Sequence, residues 1–195
     1  MNRFALSIFI EAGDVAGLRE ALKRTDRKAL NTPDPEGRTP LMRAVVSPRA
    51  SAETVRDLLA HGARLAQSRG DDKPDVVRLA LSAGDPAKVA ALSEAGADLR
   101  YRTAKGYDAL IDAAHGRDVA RDARLIELLK LLLRLGVAVD GCSTYGETAL
   151  RVLLDLPRGL STVALVVDDG RGTLDAREPV TVIGLSLEPS APATN

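Results

Sequence analysis

The chain has 195 residues, with 27 Lys+Arg against 27 Asp+Glu, 45% hydrophobic residues, 3% aromatic residues and no Trp. The balanced charge leaves no global field to draw in nucleic acid or an anionic membrane, and no apolar run reaches the length of a membrane span. A single cysteine, Cys142, excludes an intramolecular disulfide framework, and the scarcity of aromatics predicts a core of Ala, Leu and Val between thin helices, in one elongated domain.

In chain order, Phe4 to Ala12 and Val15 to Lys23, separated by Gly13-Asp14, read as a first helix pair. Glu11 interrupts the apolar start, so this segment reads as a helix with a core face and not as a signal peptide. A soluble, cytoplasmic protein is the expectation, and the excess of Arg over Lys with abundant Ala suggests a GC-rich bacterial gene. Next comes Gly37-Arg38-Thr39-Pro40-Leu41-Met42-Arg43-Ala44. Thr39 is suited to cap a helix whose first residue, Pro40, has no N–H to leave unsatisfied. Asp75, Asp108 and Thr148 hold the same cap position further on. Leu41, Val77, Leu110 and Leu150 follow two residues after each cap, and Ala44, Ala80, Ala113 and Leu153 three further, which predicts short helices with one apolar face.

Each of these is followed by a second segment at helical spacing: Val55/Leu58/Leu59, Val89/Leu92, Leu128/Leu131/Leu132 and Val163/Val166/Val167. The second segments close on Gly62, Gly96, Gly136 and Gly170, spaced 34, 40 and 34 residues apart, and the turns that open the first segments centre on Gly37, Gly70, Gly106 and Gly146. A glycine suits the left-handed position that ends a helix. Two stretches break the period, Ser47 to Ala52 and Arg117 to Arg124. The first reads as a solvated loop or an extra helical turn, and the second equally as surface or as a partner contact. After Arg177 the β-branched run Val180 to Leu187 reads as an extended cap over the last helix pair, with a disordered tail from Pro189.

A period in the thirties with two helices per unit resembles the ankyrin repeat. Leu30-Asn31 sits where that family has its Val-Asn pair, and the likeness covers residues 4 to 177, weakest at 66 to 82. It implies an all-α, ankyrin-like solenoid of about five repeats, near 2–33, 34–68, 69–102, 103–142 and 143–177, with 178–195 as a short extended C-terminal segment and tail. It also implies a non-enzymatic module that binds another protein through hairpin tips and the ends of the first helices, inhibiting or escorting it. Mapped onto this chain, those positions include Glu36, Arg38, Lys105, Tyr107, His115, Tyr145, Glu147 and Asp155. All three tyrosines, Tyr101 included, fall on or near the tips of the fourth and fifth units, where the expectation is that they have no packing duty and serve binding.

No cofactor, metal site, nucleic-acid footprint or membrane contact is expected, and the chain reads as a monomer. His61 ends a helix and reads as a surface residue. Two alternatives stand beside protein binding: a small hydrolase or transferase using His115 with Asp108 or Asp112, and a self-assembling element joined through Val180 to Leu187.

Overall fold

A computed structural model describes residues 3–65, 75–116 and 122–154. Among them the protein is all-α, ten helices packed together with no sheet, and one isolated bridge between Cys142 and Thr148. The second helix of the fifth unit, the Val180–Leu187 segment and the turn around Gly70 lie outside the described residues.

The helices start where a side chain can take up the N–H groups that a helix N-terminus leaves free. Thr39 caps α4 (Pro40–Val46), Asp75 caps α6 (Val76–Ala83) and Asp108 caps α8 (Ala109–Ala114), each accepting an N–H three residues on. Thr148 does the same for α10 (Ala149–Leu154) through the Arg151 N–H, at 3.2 Å. Asp14, Ser51 and Asp85 cap α2 (Val15–Leu22), α5 (Ala52–Ala60) and α7 (Pro86–Glu94). The chain begins with α1 (Arg3–Ala12), and α9 (Asp122–Arg134) absorbs the last three residues of the 117–124 insertion, whose first five lie outside the described residues. A five-residue helix, α3 (Arg27–Asn31), capped by Asp26, stands where the sequence predicts no helix.

Three turns share one construction. In 34–38, 103–107 and 143–147 the first residue's N–H bonds the fifth residue's C=O, and the fourth residue's N–H returns to the first residue's C=O. The side chains of Asp34, Thr103 and Ser143 each accept the N–H four residues on, at 3.0, 3.0 and 3.2 Å. The fourth residue is Gly37, Gly106 or Gly146, with φ of 77°, 79° and 76°, the left-handed region that a Cβ disfavours. The ends of α5, α7 and α9 also match one another, with Gly62, Gly96 and Gly136 bonding back three residues and the residue after each bonding back five.

Helices pair as α1 with α2, α4 with α5, α6 with α7 and α8 with α9. Between pairs, α1 meets α4, α4 meets α6, α6 meets α8 and α8 meets α10, while α2 meets α5, α5 meets α7 and α7 meets α9. Of the residues the spacing picks out, Leu41 and Ala44, Val77 and Ala80, Leu110 and Ala113, together with Val55, Leu58, Val89, Leu92, Leu128 and Leu132, are buried, while Leu59, Leu131 and Leu153 are only partly so. Alanines on the first helices let neighbouring backbones come close, and the larger aliphatics fill the space between the two helix series.

The 47–52 stretch, read from sequence as a solvated loop or an extra helical turn, is solvated only in part: Pro48, Arg49 and Ser51 are exposed. Ser47 and Ala50 are buried, and Ala52 already belongs to α5. The cause lies in the next helix pair. Lys88 of α7 is 2% exposed, and its ammonium donates to the carbonyls of Ala44 at 3.0 Å, Val45 at 3.4 Å and Ser47 at 2.6 Å. α4 ends at Val46 and Ser47 is extended, with ψ of 125°, so the N–H groups that follow turn away from the last carbonyls of the helix and the lysine supplies what the backbone lacks. Burial pulls the Lys88 pKa below the ordinary lysine value, partly countered by Asp85.

Candidate functional site

In the regular turns the backbone of the first, fourth and fifth residues does the bonding, and the second and third residues form the tip. Five of the eight candidate residues come together where the 103–107 turn, the end of α8 and the 143–147 turn meet. The Thr144 N–H donates to the Lys105 carbonyl at 2.8 Å and locks the two turns side by side. The Tyr107 hydroxyl donates to Glu147 Oε2 at 3.0 Å, and its ring stands edge-on to His115 with centroids 6.1 Å apart. His115 Nε2 lies 3.9 Å from Glu147 Oε1. Burial and the Glu147 carboxylate raise the Tyr107 pKa above its ordinary value. Tyr145 stands apart from this network at 65% exposed, on a backbone held by the Ser143 hydroxyl.

The expectation that the tyrosines have no packing duty is therefore corrected for two of them. Tyr107 packs against the core and bonds the next turn. Tyr101 also packs against the core and donates its hydroxyl to Asp112, a carboxylate that Arg78 of α6 grips with two nitrogens at 2.9 and 3.2 Å. Burial first, and Asp112 second, push the Tyr101 pKa far above the usual phenol range. Only Tyr145 keeps the free ring that binding calls for.

The same network bears on the acid–base alternative. Asp112 is taken up by Arg78 and Tyr101, and Asp108 is taken up as the cap of α8, so His115 faces Glu147 and neither of the aspartates proposed for it. Burial raises the Asp108 pKa, against the N–H groups of Ile111 and Leu110 that lower it. Among the described residues no group of three or more His, Cys, Asp or Glu side chains could hold a metal ion. His61 is exposed at the end of α5, with Nδ1 2.8 Å from the Asp57 carbonyl.

Glu36 and Arg38 lie apart from the turn cluster, on the rim of an open groove of about 730 Å³ between α1 and the 34–38 turn. Arg43 binds both Asp34, at 2.5 Å, and Glu36, at 3.1 Å. Burial would raise the Asp34 pKa, but the Arg38 N–H and the Arg43 guanidinium outweigh it and hold it below the ordinary value. Asp155, the eighth candidate, lies outside the described residues. Sequence reasoning missed Ile8 and Arg49, which also line this groove. Ile8 carried a signal, because it sits off the stripe formed by Leu6 and Ile10, both buried.

The sequence matches no protein-family model and none of the curated proteins. No helix among the described residues is long and apolar enough to cross a membrane.

Proposed function

We propose that this chain is an ankyrin-like array of about five helix-turn-helix repeats, a monomer acting in the cytoplasm, whose function is non-enzymatic binding of a partner protein. The array reading is supported by three turns with the same hydrogen bonds and the same glycine geometry, and by helix contacts that run from each pair to the next. The binding surface is the turn cluster of Lys105, Tyr107, His115, Tyr145 and Glu147. The observation that carries it is Tyr145: a 65% exposed aromatic ring on a backbone tied down by Ser143 and, through Thr144, by Lys105. A large ring held in place before binding loses little freedom on contact, which is what a hot spot requires.

The test uses the two variants that leave the internal network intact. Tyr145→Ala and Lys105→Ala, singly and together, keep the Tyr107–Glu147 bond. A photo-crosslinking residue at position 145, compared with one at exposed Arg56 on the opposite helix series, identifies what touches the turn. The expected result is one protein crosslinked from native lysate at 145 and not at 56, and captured at least about tenfold less by the double variant. Equal capture by wild type and double variant, or no crosslink at 145, overturns the assignment.

A further inference from the structure

A second surface lies at the other end of the described fold. In α1, Ser7, Ile8, Glu11 and Ala12 face away from the core stripe and form one wall of the 730 Å³ groove; the 34–38 turn, Pro40, Arg43 and Arg49 form the other. Ile8 and Tyr145 are the exposed large hydrophobic residues among the described ones, and Ile8, at 67%, sits inside this groove. Its size falls within the range of about 300–1,000 Å³ that takes a few side chains.

The charges around it are unevenly spent. Arg43 is engaged by Asp34 and Glu36, and Glu11 accepts the Ser47 hydroxyl at 3.4 Å. The guanidinium groups of Arg38 and Arg49 make no hydrogen bond or ion pair with any described residue, so two unpaired forks stand beside the apolar Ile8, Ala12, Pro35 and Pro40 in a lining that also carries Glu11, Asp34 and Glu36. A guanidinium binds a carboxylate through two parallel bonds. Continuous polyphosphate is a poor match, because Glu11, Asp34 and Glu36 would stand beside it; separate carboxylates on a peptide avoid them.

We propose that this groove binds an acidic peptide segment of a partner protein, with an aliphatic side chain against Ile8 and flanking Asp or Glu carboxylates on Arg38 and Arg49. It extends protein binding to a surface that does not involve Tyr145, and the test separates the two.

A random dodecapeptide phage library is panned on the full chain, and enriched peptides are labelled with fluorescein for anisotropy titration. The expected sequences pair an aliphatic residue with flanking Asp or Glu. Their affinity should fall about tenfold or more in Arg38→Glu/Arg49→Glu and severalfold in Ile8→Ser, stay unchanged in Tyr145→Ala, and weaken as salt rises from about 50 to about 300 mM. All three groove side chains are exposed, so these variants should fold, which circular dichroism checks. Enrichment of basic or purely apolar peptides, no enrichment, or affinities indifferent to the groove variants overturns the inference. Peptides lost only in Tyr145→Ala overturn it while leaving the turn cluster standing. A dimer on size exclusion that Arg38→Glu/Arg49→Glu dissolves makes the occupant a second copy, and also overturns it.

Discussion

Lys88→Met tests how neighbouring helix pairs are joined. Methionine keeps the length and most of the apolar stem but removes the ammonium that serves the Ala44, Val45 and Ser47 carbonyls. The bonds at 2.6 and 3.0 Å are well formed, whereas the one at 3.4 Å is at the limit and contributes little. Leaving two buried acceptors unpaired costs about 1–3 kcal/mol each, or about 2–6 kcal/mol together. Removing a buried charge returns part of its desolvation cost, so the expected net loss is about 2–4 kcal/mol. Urea unfolding should show the loss as a lower midpoint with an unchanged slope. A Lys88→Met loss below about 0.5 kcal/mol would refute the claim that the lysine completes the end of α4.

Three further outcomes follow from the polar contacts. Asp112→Ala removes the partner of both Arg78 and Tyr101 and should cost about 2–4 kcal/mol, below the fully buried case because Arg78 keeps 20% of its side chain exposed. Tyr101→Phe leaves the Arg78–Asp112 pair in place and should cost about 1–2 kcal/mol by chemical denaturation; equal losses would mean that the pair adds nothing beyond the hydroxyl. Asp34 has a folded pKa below its unfolded value, so its contribution is present above the ordinary carboxylate pKa and lost as pH falls through the lower folded one. The stability gap between wild type and Asp34→Asn should therefore be open at about pH 6 and close from about pH 4 downward; a gap independent of pH would contradict the Arg38 and Arg43 contacts.

What was legible in the sequence is what is decided locally. A cap needs only its own helix to form, so Thr39, Asp75, Asp108 and Thr148 mark the starts of α4, α6, α8 and α10. Apolar spacing picks out the buried face because α-helical geometry depends only on neighbours in the chain. Partners some forty residues away leave no such trace. Nothing in the spacing of α7 marks Lys88 as buried until α4 is laid against it, and the loop spacing gives no sign that Ala50 is buried. The candidate site divides likewise. The repeat register implied by the resemblance put Lys105, Tyr107, Tyr145 and Glu147 on the turns, but whether each ring is free depends on the next turn, which engages Tyr107 and leaves Tyr145 out. α3 was missed because five residues carry too short a pattern to show periodicity.

The polar links have a feature in common: each joins one helix pair to the next. Asn31 donates to the Gly62 carbonyl and accepts the Arg64 N–H; Lys88 reaches back to α4; Arg78 grips Asp112; and Tyr107 bonds Glu147. Interfaces made of Ala, Val and Leu are chemically alike along their length, so hydrophobic burial favours stacking without strongly selecting one alignment. Sliding one pair by a helical turn, about 5.4 Å, would keep much of the apolar contact and leave a buried ammonium or carboxylate without its partner. The alignment also decides the turn surface, because the 103–107 and 143–147 turns lie side by side only when the Lys105 carbonyl meets the Thr144 N–H. Exposed ion pairs on the other helix series, Arg19 with Asp57 and Arg56 with Glu94, are too solvated to enforce that choice. The buried and half-buried links therefore set the geometry in which the Tyr145 ring stands exposed.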